Sequence, residues 1–298
     1  MKKTTKRISV TIIALFCICL SVFGAYADMI LEYDGYQYSI FNNTSLSLEG
    51  WDNRTPELVV PDTIGGRYFI SVANKGLMDN TEITSVDFSQ VTRLRRIGMY
   101  AFMGCTGLNQ PLVLPDSLTT MNDSAFQECT ALPEVTTNAS LTSIPEQAFY
   151  GCSSLTTVNI ADGLQSIGRI AFGNCTSLSY VNIPESVTAI DPTAFYNDTD
   201  LTLGVWFGSY GYDYAKAQNI PFILLDSVLL GDANGDGYVN ISDVTDIQRA
   251  VAEIETLDDL RKKAADVNSD GVVTIDDATF LQTYLAEFGT AYPIGEVV

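Results

Sequence analysis

The sequence predicts a solenoid of short strands and turns, followed by a small all-α module. Two observations predict this architecture. A motif of the form Ala-Phe-x-x-Cys-x-x-Leu recurs every 23 or 24 residues through the middle of the chain. Nearer the C-terminus, two twelve-residue loops rich in Asp, Asn and Gly lie 34 residues apart, and an amphipathic segment follows each loop.

The composition excludes several classes of function. The chain has 298 residues with 36 acidic and 16 basic side chains, a net charge of −20, and no histidine. The lack of histidine rules out a Ser-His-Asp relay and any histidine-ligated zinc site. The acidic balance argues against nucleic acid as a partner, because phosphates require a Lys/Arg surface. A hydrophobic content of 46% is sufficient for a buried core.

Residues 1–27 have the layout of a secretory signal peptide. An apolar run from Ile8 to Phe23 precedes the small-x-small sequence Ala25-Tyr26-Ala27. The basic residues at the start are Lys2, Lys3, Lys6 and Arg7. The run is shorter than the roughly 20 residues that span a bilayer, so we expect cleavage after Ala27 and secretion, with an uncleaved membrane anchor as the alternative. No other stretch is suited to membrane insertion.

The repeated motif contains four of the cysteines. They are Cys105, Cys129, Cys152 and Cys175. An even number of cysteines in a secreted protein suggests disulfides, but these four share the same flanking pattern. A repeat of about 23 residues is typical of a leucine-rich-repeat solenoid, in which equivalent residues stack from coil to coil. We therefore expect four free, buried thiols that pack as small hydrophobic groups.

Each repeat also contains two short apolar alternations, such as Leu155-x-x-Val158-x-Ile160 and Leu164-x-x-Ile167. They predict two short strands per coil, with the apolar residues inside and the intervening residues in water. The exposed strand residues form a candidate binding face for a protein or glycan, and a merely solvated sheet surface is the alternative. Its candidate residues are Thr157, Asn159, Tyr180 and Asn182.

The repeats resemble the leucine-rich repeats of BspA-like bacterial surface proteins. The similarity spans roughly 58–225 and is clearest in IPEQAFYGCSSLTTVNIADGLQSIG. It implies an N-terminal cap at 28–72, repeats at 73–201, and a C-terminal cap at 202–228 with a short helix near Tyr212–Gln218. It also implies protein contact or adhesion, without naming the ligand.

The two acidic loops place oxygen-bearing groups at positions 1, 3, 5, 7, 9 and 12, with glycine at position 6. This pattern matches the oxygen ligands that Ca²⁺ prefers, and position 7 would contribute its backbone carbonyl. We therefore expect two Ca²⁺ ions. The predicted ligands are Asp232, Asn234, Asp236, Tyr238, Asn240 and Asp243 in the first loop, and Asp266, Asn268, Asp270, Val272, Thr274 and Asp277 in the second.

Two features distinguish these units from an EF-hand. Position 12 is Asp rather than Glu, and no helix precedes the first loop. Each unit is thus a loop followed by one helix. The helical periodicity places apolar residues on one face of the first helix, namely Val244, Ile247, Val251 and Ile254. Val239 and Val273, at loop position 8, could pair the two loops through a short bridge.

The segments GDANGDGYVNISDVTDIQRAV and ADVNSDGVVTIDDATFLQTYLAEF resemble a type I dockerin. The resemblance implies a dockerin domain at 229–290, a tail at 291–298, and binding to a cohesin module of a scaffold protein in a cellulosome-type complex. It assigns cohesin contacts to loop positions 10 and 11 and to one exposed helix turn. In this chain these residues are Ile241, Ser242, Gln248, Arg249, Ile275, Asp276, Gln282 and Thr283. Because Asp276 replaces Ser242 in the second copy, we expect a preference for one binding orientation.

Together these features predict a non-catalytic extracellular protein that is attached to a bacterial multiprotein complex, with the solenoid as a protein-binding or adhesion surface. The alternative is a carbohydrate-binding subunit of a polysaccharide-degrading complex, in which Tyr180, Trp206 and Tyr210 would stack on sugars. A glycoside hydrolase is a less favoured interpretation than either of these. It needs two facing carboxylates in a cleft, and the assigned segments leave no room for a separate catalytic domain.

Overall fold

The computed structural model describes residues 30–52, 54–206, 209–225, 228–286 and 294–295. The predicted signal peptide therefore lies outside the described residues. The chain divides into two compact units, one ending at Ile223 and the other beginning at Leu224. Within the described residues, no helix is long and apolar enough to cross a membrane.

The first unit begins with an antiparallel meander of three strands, β1 (Leu31–Tyr33), β2 (Tyr36–Asn42) and β3 (Ser45–Trp51). Its first turn uses Asp34 and Gly35, both at positive φ, as a tight two-residue hairpin requires. β3 then pairs in parallel with the first strand of the coils. This meander lies within the residues expected to form the N-terminal cap, 28–72.

The remaining strands that the structure describes are two to six residues long, because each coil turns after one or two inward apolar residues. They are β4 (Glu57–Val59), β5 (Thr63–Ile64), β6 (Arg67–Val72), β7 (Ser85–Asp87), β8 (Arg96–Ile97), β9 (Leu112–Val113), β10 (Thr120–Met121), β11 (Glu134–Thr136), β12 (Ser143–Ile144), β13 (Thr157–Asn159), β14 (Ser166–Ile167), β15 (Tyr180–Asn182), β16 (Ala189–Ile190), β17 (Thr202–Val205) and β18 (Phe222–Leu224).

Equivalent strands of successive coils pair in parallel, which confirms the solenoid. One sheet has the order β1-β2-β3-β6-β8-β10, with β5 on β6, and a second has the order β18-β17-β15-β13-β11-β9. Two smaller sheets are β12-β14-β16 and β4-β7. The register advances by one repeat, so that Val135 lies beside Val158 and Val158 beside Val181.

The core of the coils is a stack of phenylalanine rings from the repeated motif. Successive rings lie 4.9 to 5.5 Å apart, with interplanar angles of 4° to 8°. The stacked rings are Phe102, Phe126, Phe149, Phe172 and Phe195. An aromatic ring at a steep angle closes each end, Phe88 at 86° and Tyr214 at 57°.

The four cysteines are free and buried, as the sequence predicted. Each thiol also donates a hydrogen bond to a main-chain carbonyl of the preceding coil, at 3.1 to 3.3 Å. For example, Cys175 donates to the carbonyl of Phe149. Burial raises the pKa of the Cys105 thiol to about 12 and holds the pKa values of Cys129 and Cys175 well above the ordinary value. The raised pKa values disfavour the reactive thiolate form at Cys105, Cys129 and Cys175.

Helix α1 (Tyr210–Gln218) caps the last coils and begins two residues earlier than predicted. The hydroxyl of Ser209 accepts the N–H of Tyr212, which satisfies one free donor of the first turn. Gly211 allows close packing here, because a Cβ at this position would lie 2.8 Å from Ile183.

The second unit contains three helices, α2 (Ile241–Val251), α3 (Asp259–Ala265) and α4 (Ile275–Leu285). They enclose a small apolar core that includes Val244, Ile247, Leu257, Val267, Leu281 and the tail residue Ile294. The N–H of Gly295 donates to the carbonyl of Leu230 at 2.8 Å, so the tail closes back on the start of the unit.

Two details of this unit differ from the expectations. Val251 is 39% exposed and Ile254 is 70% exposed, although the helical pattern placed both on the apolar face. For Ile254 the reason is that α2 ends at Val251, so the periodicity no longer applies beyond it. Val239 and Val273 both pack against the core, but neither lies in an assigned strand or bridge.

Candidate calcium-binding and docking site

The first acidic loop folds around the carboxylate of Asp232. Its Oδ1 accepts the N–H groups of Gly235 and Asp236 at 2.9 and 3.1 Å, and its Oδ2 accepts that of Gly237 at 2.8 Å. Gly237 has a φ of 85°, a conformation that residues with a Cβ rarely adopt. The loop thus curls back on its own first residue.

Position 12 of the first loop is fixed by the start of α2. Asp243 is completely buried, and its carboxylate accepts the N–H of Asn234 at 3.2 Å and that of Asn240 at 2.8 Å. Asn240 in turn caps the helix by accepting the N–H of Ser242 at 2.8 Å. This reciprocal capping box joins the end of the loop rigidly to the helix.

The second loop repeats this geometry. Asp266 accepts the N–H groups of Asp270 and Gly271 at 3.0 and 2.8 Å. The buried Asp277 accepts those of Asn268 and Thr274 at 3.1 and 2.8 Å, and Thr274 forms the capping box of α4. The two loops are therefore equivalent in structure as well as in sequence.

The loops concentrate negative charge at buried positions. Burial raises the pKa of Asp243, and the charges of Asp232 and Asp236 raise it further, while the N–H bonds from Asn240 and Asn234 oppose this change. Like charges in such a loop repel, and a divalent cation would relieve the repulsion. The donors are carboxylate, amide and carbonyl oxygens, which suit a hard cation such as Ca²⁺.

The predicted ligands of each loop lie on one continuous turn. The side chains of Tyr238 and Val272 are 73% and 60% exposed, consistent with a role for their carbonyls rather than their side chains. Across the described part of the chain, no group of three or more His, Cys, Asp or Glu side chains is arranged to hold a metal ion. In this structure the loop carboxylates are engaged by backbone N–H groups instead.

The predicted docking residues of the first loop–helix copy, in the second unit, lie at the surface. Ile241 is 65% exposed, and Ser242, Gln248 and Arg249 are also exposed. The guanidinium of Arg249 lies 3.4 Å from a carboxylate oxygen of Glu255. The same carboxylate contacts Arg261, 2.9 Å away, so Arg249 is partly held in place.

The second copy presents a similar surface with different chemistry. Ile275 is 53% exposed, and Asp276 and Gln282 are exposed. Thr283 is half-buried and donates to the carbonyl of Thr279 at 2.8 Å. The two faces thus share an exposed isoleucine but differ in charge.

The structure adds residues that the sequence reasoning did not single out. Glu255 and Arg261 brace the segment after α2, and Arg261 also donates to the carbonyl of Ala233 at 2.8 Å. The only sequence signal for this arrangement was the opposite charge of Glu255 and the two arginines, Arg249 and Arg261. The signal is weak because folding of the segment after α2 is what brings these residues together.

The predicted solenoid face is exposed on neighbouring parallel strands. Thr157 lies directly beside Tyr180, and Asn159 donates to Glu134 at 2.9 Å and to Thr136 at 3.2 Å. Asn182 is exposed at the end of β15. Tyr180 is the one aromatic among the four predicted residues, so they form no aromatic row for stacking on sugars.

Comparison with protein families gives two matches. The model for the BspA type leucine rich repeat region matches residues 72–202 in six copies. The model for the dockerin type I domain matches residues 230–286. The comparison with curated proteins finds no match.

Several solved structures are similar to the chain. A leucine-rich repeat protein from T. pallidum has 26% identity and a TM-score of 0.42, over 58% of this chain and 69% of that one. A leucine rich cell surface protein from Faecalibacterium prausnitzii A2-165 has 23% identity and a TM-score of 0.44, over 59% and 54%. One from Eubacterium ventriosum has 22% identity and a TM-score of 0.42, over 58% and 52%. The chain spans about half the length of the last two.

Proposed function

The chain joins a BspA-type leucine-rich repeat region to a type I dockerin domain, and on this premise we propose that it is a secreted, non-catalytic component of a cellulosome-type complex. Type I dockerins bind calcium and dock onto cohesin modules of scaffold proteins. The solenoid then acts as a protein-binding or adhesion surface outside the cell. The exposed isoleucine at position 10 of each acidic loop, Ile241 and Ile275, is the observation that carries the proposal.

In this proposal the dockerin holds two Ca²⁺ ions. Each loop would use the side chains at positions 1, 3, 5, 9 and 12 and the carbonyl at position 7 as ligands. Calcium would supply the positive charge that the buried carboxylates lack. The residues of the loop orient the following helix, because Asp243 and Asp277 link loop to helix through the capping boxes.

The docking surface would be centred on the exposed isoleucines. A buried apolar anchor with a polar surround is the usual anatomy of a specific protein interface. Ser242, Gln248 and Arg249 surround Ile241, while Asp276, Gln282 and Thr283 surround Ile275. Because a carboxylate replaces the hydroxyl at position 11, the two faces would not be interchangeable, and one orientation on cohesin would be preferred.

The families of the two modules support a non-catalytic function. Leucine-rich repeats and dockerins are binding families, and the chain has no histidine to act as a general base. Thr157, Asn159, Tyr180 and Asn182 would belong to the solenoid's contact face. Their polar character favours a protein partner over stacking on sugar rings at this face.

The test uses the chain from Asp28 to Val298 as bait in spent medium of the producing bacterium, with calcium or with a chelator. We expect capture of a cohesin-containing scaffold only with calcium, and loss of capture in the double variant Ile241→Asp/Ile275→Asp. Val113→Asp is the matched control, because Val113 is 59% exposed on the solenoid. Capture that persists with chelator, or that the double variant retains, would overturn the docking proposal.

The single variants test the orientation. If one face is preferred, Ile241→Asp and Ile275→Asp will differ clearly in affinity for the captured cohesin. Equal, small losses in both single variants would instead indicate two interchangeable orientations.

A further inference from the structure

A cluster of arginines stands out in this strongly acidic chain. Arg93, Arg95 and Arg96 lie within four consecutive residues, and all three are exposed. They line a groove of about 1120 Å³ on the sheet formed by β2, β3, β6 and β8. The cluster lies in the repeat-bearing unit rather than in the dockerin, outside the predicted calcium, docking and solenoid-face residues.

These arginines differ from others in the described part of the chain. Arg54, Arg169, Arg249 and Arg261 each contact a carboxylate within ion-pair distance. None of the ion pairs found among the described residues involves the groove arginines. One of them, Arg93, instead lies over the ring of Tyr68, 3.9 Å from its centroid. Three adjacent cations without counter-ions repel one another, so the groove favours an anionic ligand.

The remaining lining is small, hydroxylated and aromatic. Ser45, Ser47 and Ser71 lie on the floor, each at most 9% exposed. Phe41 is 73% exposed at the side. The one carboxylate in the described lining, Glu49, accepts the hydroxyl of Ser39 at 2.6 Å.

The strand register brings these groups into one row. Ser47 lies beside Ser71, Ser71 beside Arg96, and Arg96 beside Thr120. The floor strands β3 and β6 each have neighbours on both sides. A peptide therefore cannot bind here by adding a strand, and recognition must come from side chains.

We propose that this groove binds an anionic glycan whose sugar units carry carboxylates. Guanidinium groups form paired hydrogen bonds with carboxylates, hydroxyls match sugar hydroxyls, and exposed aromatic rings accept apolar sugar faces. The site is separate from the docking surface and does not depend on the proposed function. An experiment that refutes one of these two proposals would therefore not refute the other.

The test measures binding of a labelled ten-sugar hyaluronan oligosaccharide to the chain 28–298 by fluorescence polarisation. We expect the wild type to bind it and to bind its carboxyl-reduced form at least about tenfold more weakly, since charge-assisted contacts would be lost. Binding should also weaken as salt rises from 50 to 300 mM.

The variants locate the site. Arg95→Gln/Arg96→Gln should weaken binding at least about tenfold while leaving the Arg93–Tyr68 stack intact. Arg169→Gln is the matched control, because it removes an exposed arginine outside the groove, and it should have no effect. Both variants should retain the wild-type melting temperature and calcium-dependent scaffold capture.

Three results with the oligosaccharides would overturn the proposal. They are equal binding of the charged and carboxyl-reduced oligosaccharides, unchanged affinity in the double variant, and absence of binding to the charged oligosaccharide. A ten-residue polyglutamate that binds as tightly as the oligosaccharide would also overturn it, in favour of an acidic protein as the partner.

Discussion

The carboxyl group of Asp198 occupies, in the last copy of the motif, the position that the thiol of Cys175 occupies one coil earlier. Both residues donate their N–H to the phenylalanine three positions before them, Phe195 and Phe172. The carboxylate oxygens of Asp198 are buried without a hydrogen-bond partner among the described residues. The stack of thiols therefore ends in a buried acid.

This acid should make the stability of the solenoid depend on pH. Burial raises the pKa of Asp198 from 3.8 to about 7, and the nearby main chain of Cys175 counteracts this rise only in part. Between about pH 4 and 7 the folded state holds a proton that the unfolded state releases, so the free energy of unfolding falls as pH rises.

Asp198→Asn should remove this contribution, which is at most about 4 kcal/mol. Urea unfolding of the solenoid at pH 5 and pH 8 measures the difference between wild type and variant. Asp200→Asn, an exposed acid in the same turn, serves as the control. A variant that keeps the wild-type pH dependence would show that Asp198 is not responsible.

Removing a ring from the middle of the phenylalanine stack should destabilise the solenoid strongly. Phe149 is fully buried between Phe126 and Phe172, with both centroids 5.5 Å away. Phe149→Ala should cost about 3–5 kcal/mol in urea unfolding, because it leaves a cavity that flanking coils cannot fill. Tyr196→Ala, at a position 61% exposed, should change stability by less than about 0.5 kcal/mol. Similar losses in both variants would contradict the stack as the core.

The four repeat thiols should resist modification while the solenoid is folded. Their pKa values are raised at Cys105, Cys129 and Cys175, and all four thiols donate to carbonyls inside the stack. In the chain 28–298, Ellman's reagent at pH 8 should label none of them within minutes, and all four in guanidinium. Val113→Cys supplies an exposed reference thiol that should react within seconds. Rapid labelling of the folded wild type would be inconsistent with buried thiols.

Each of the two acidic loops should bind one Ca²⁺ ion. Native mass spectrometry of the chain 28–298 should find two ions in the wild type and one in Asp232→Ala or Asp266→Ala. Both residues anchor their loops through backbone N–H groups, so each loss should stay local. Glu253→Gln, an exposed acid outside the loops, should keep both ions. Two ions retained in either loop variant would refute the assigned ligands.

The sequence predicted the repeat, the buried thiols and the helices after the loops, because each depends on local spacing. The phenylalanine rings stack because a repeat of 23 residues places the phenylalanine of each coil beside its equivalent in the next coil. Ile254 was misjudged because helical periodicity does not reveal that α2 ends at Val251. The hydrogen bonds of the thiols were missed because their acceptors belong to the preceding coil.

The arginine groove could not be predicted for a similar reason. Its members come from three separate segments, represented by Ser47, Ser71 and Arg96. Parallel register brings them side by side, and that register is fixed by the inward apolar residues rather than by the groove residues themselves. The three arginines are close together in the sequence, but the hydroxyl floor beside them comes from other segments.

The parallel pairing of equivalent residues from coil to coil has a consequence for how such proteins vary in length. Each coil meets its neighbours through the same register, so inserting or deleting one whole 23-residue unit would leave both ends compatible. Each added unit would lengthen the stack by about 4.8 Å, the spacing of paired strands. The length of the solenoid is thus adjustable by gene duplication in fixed steps, without redesign of either cap.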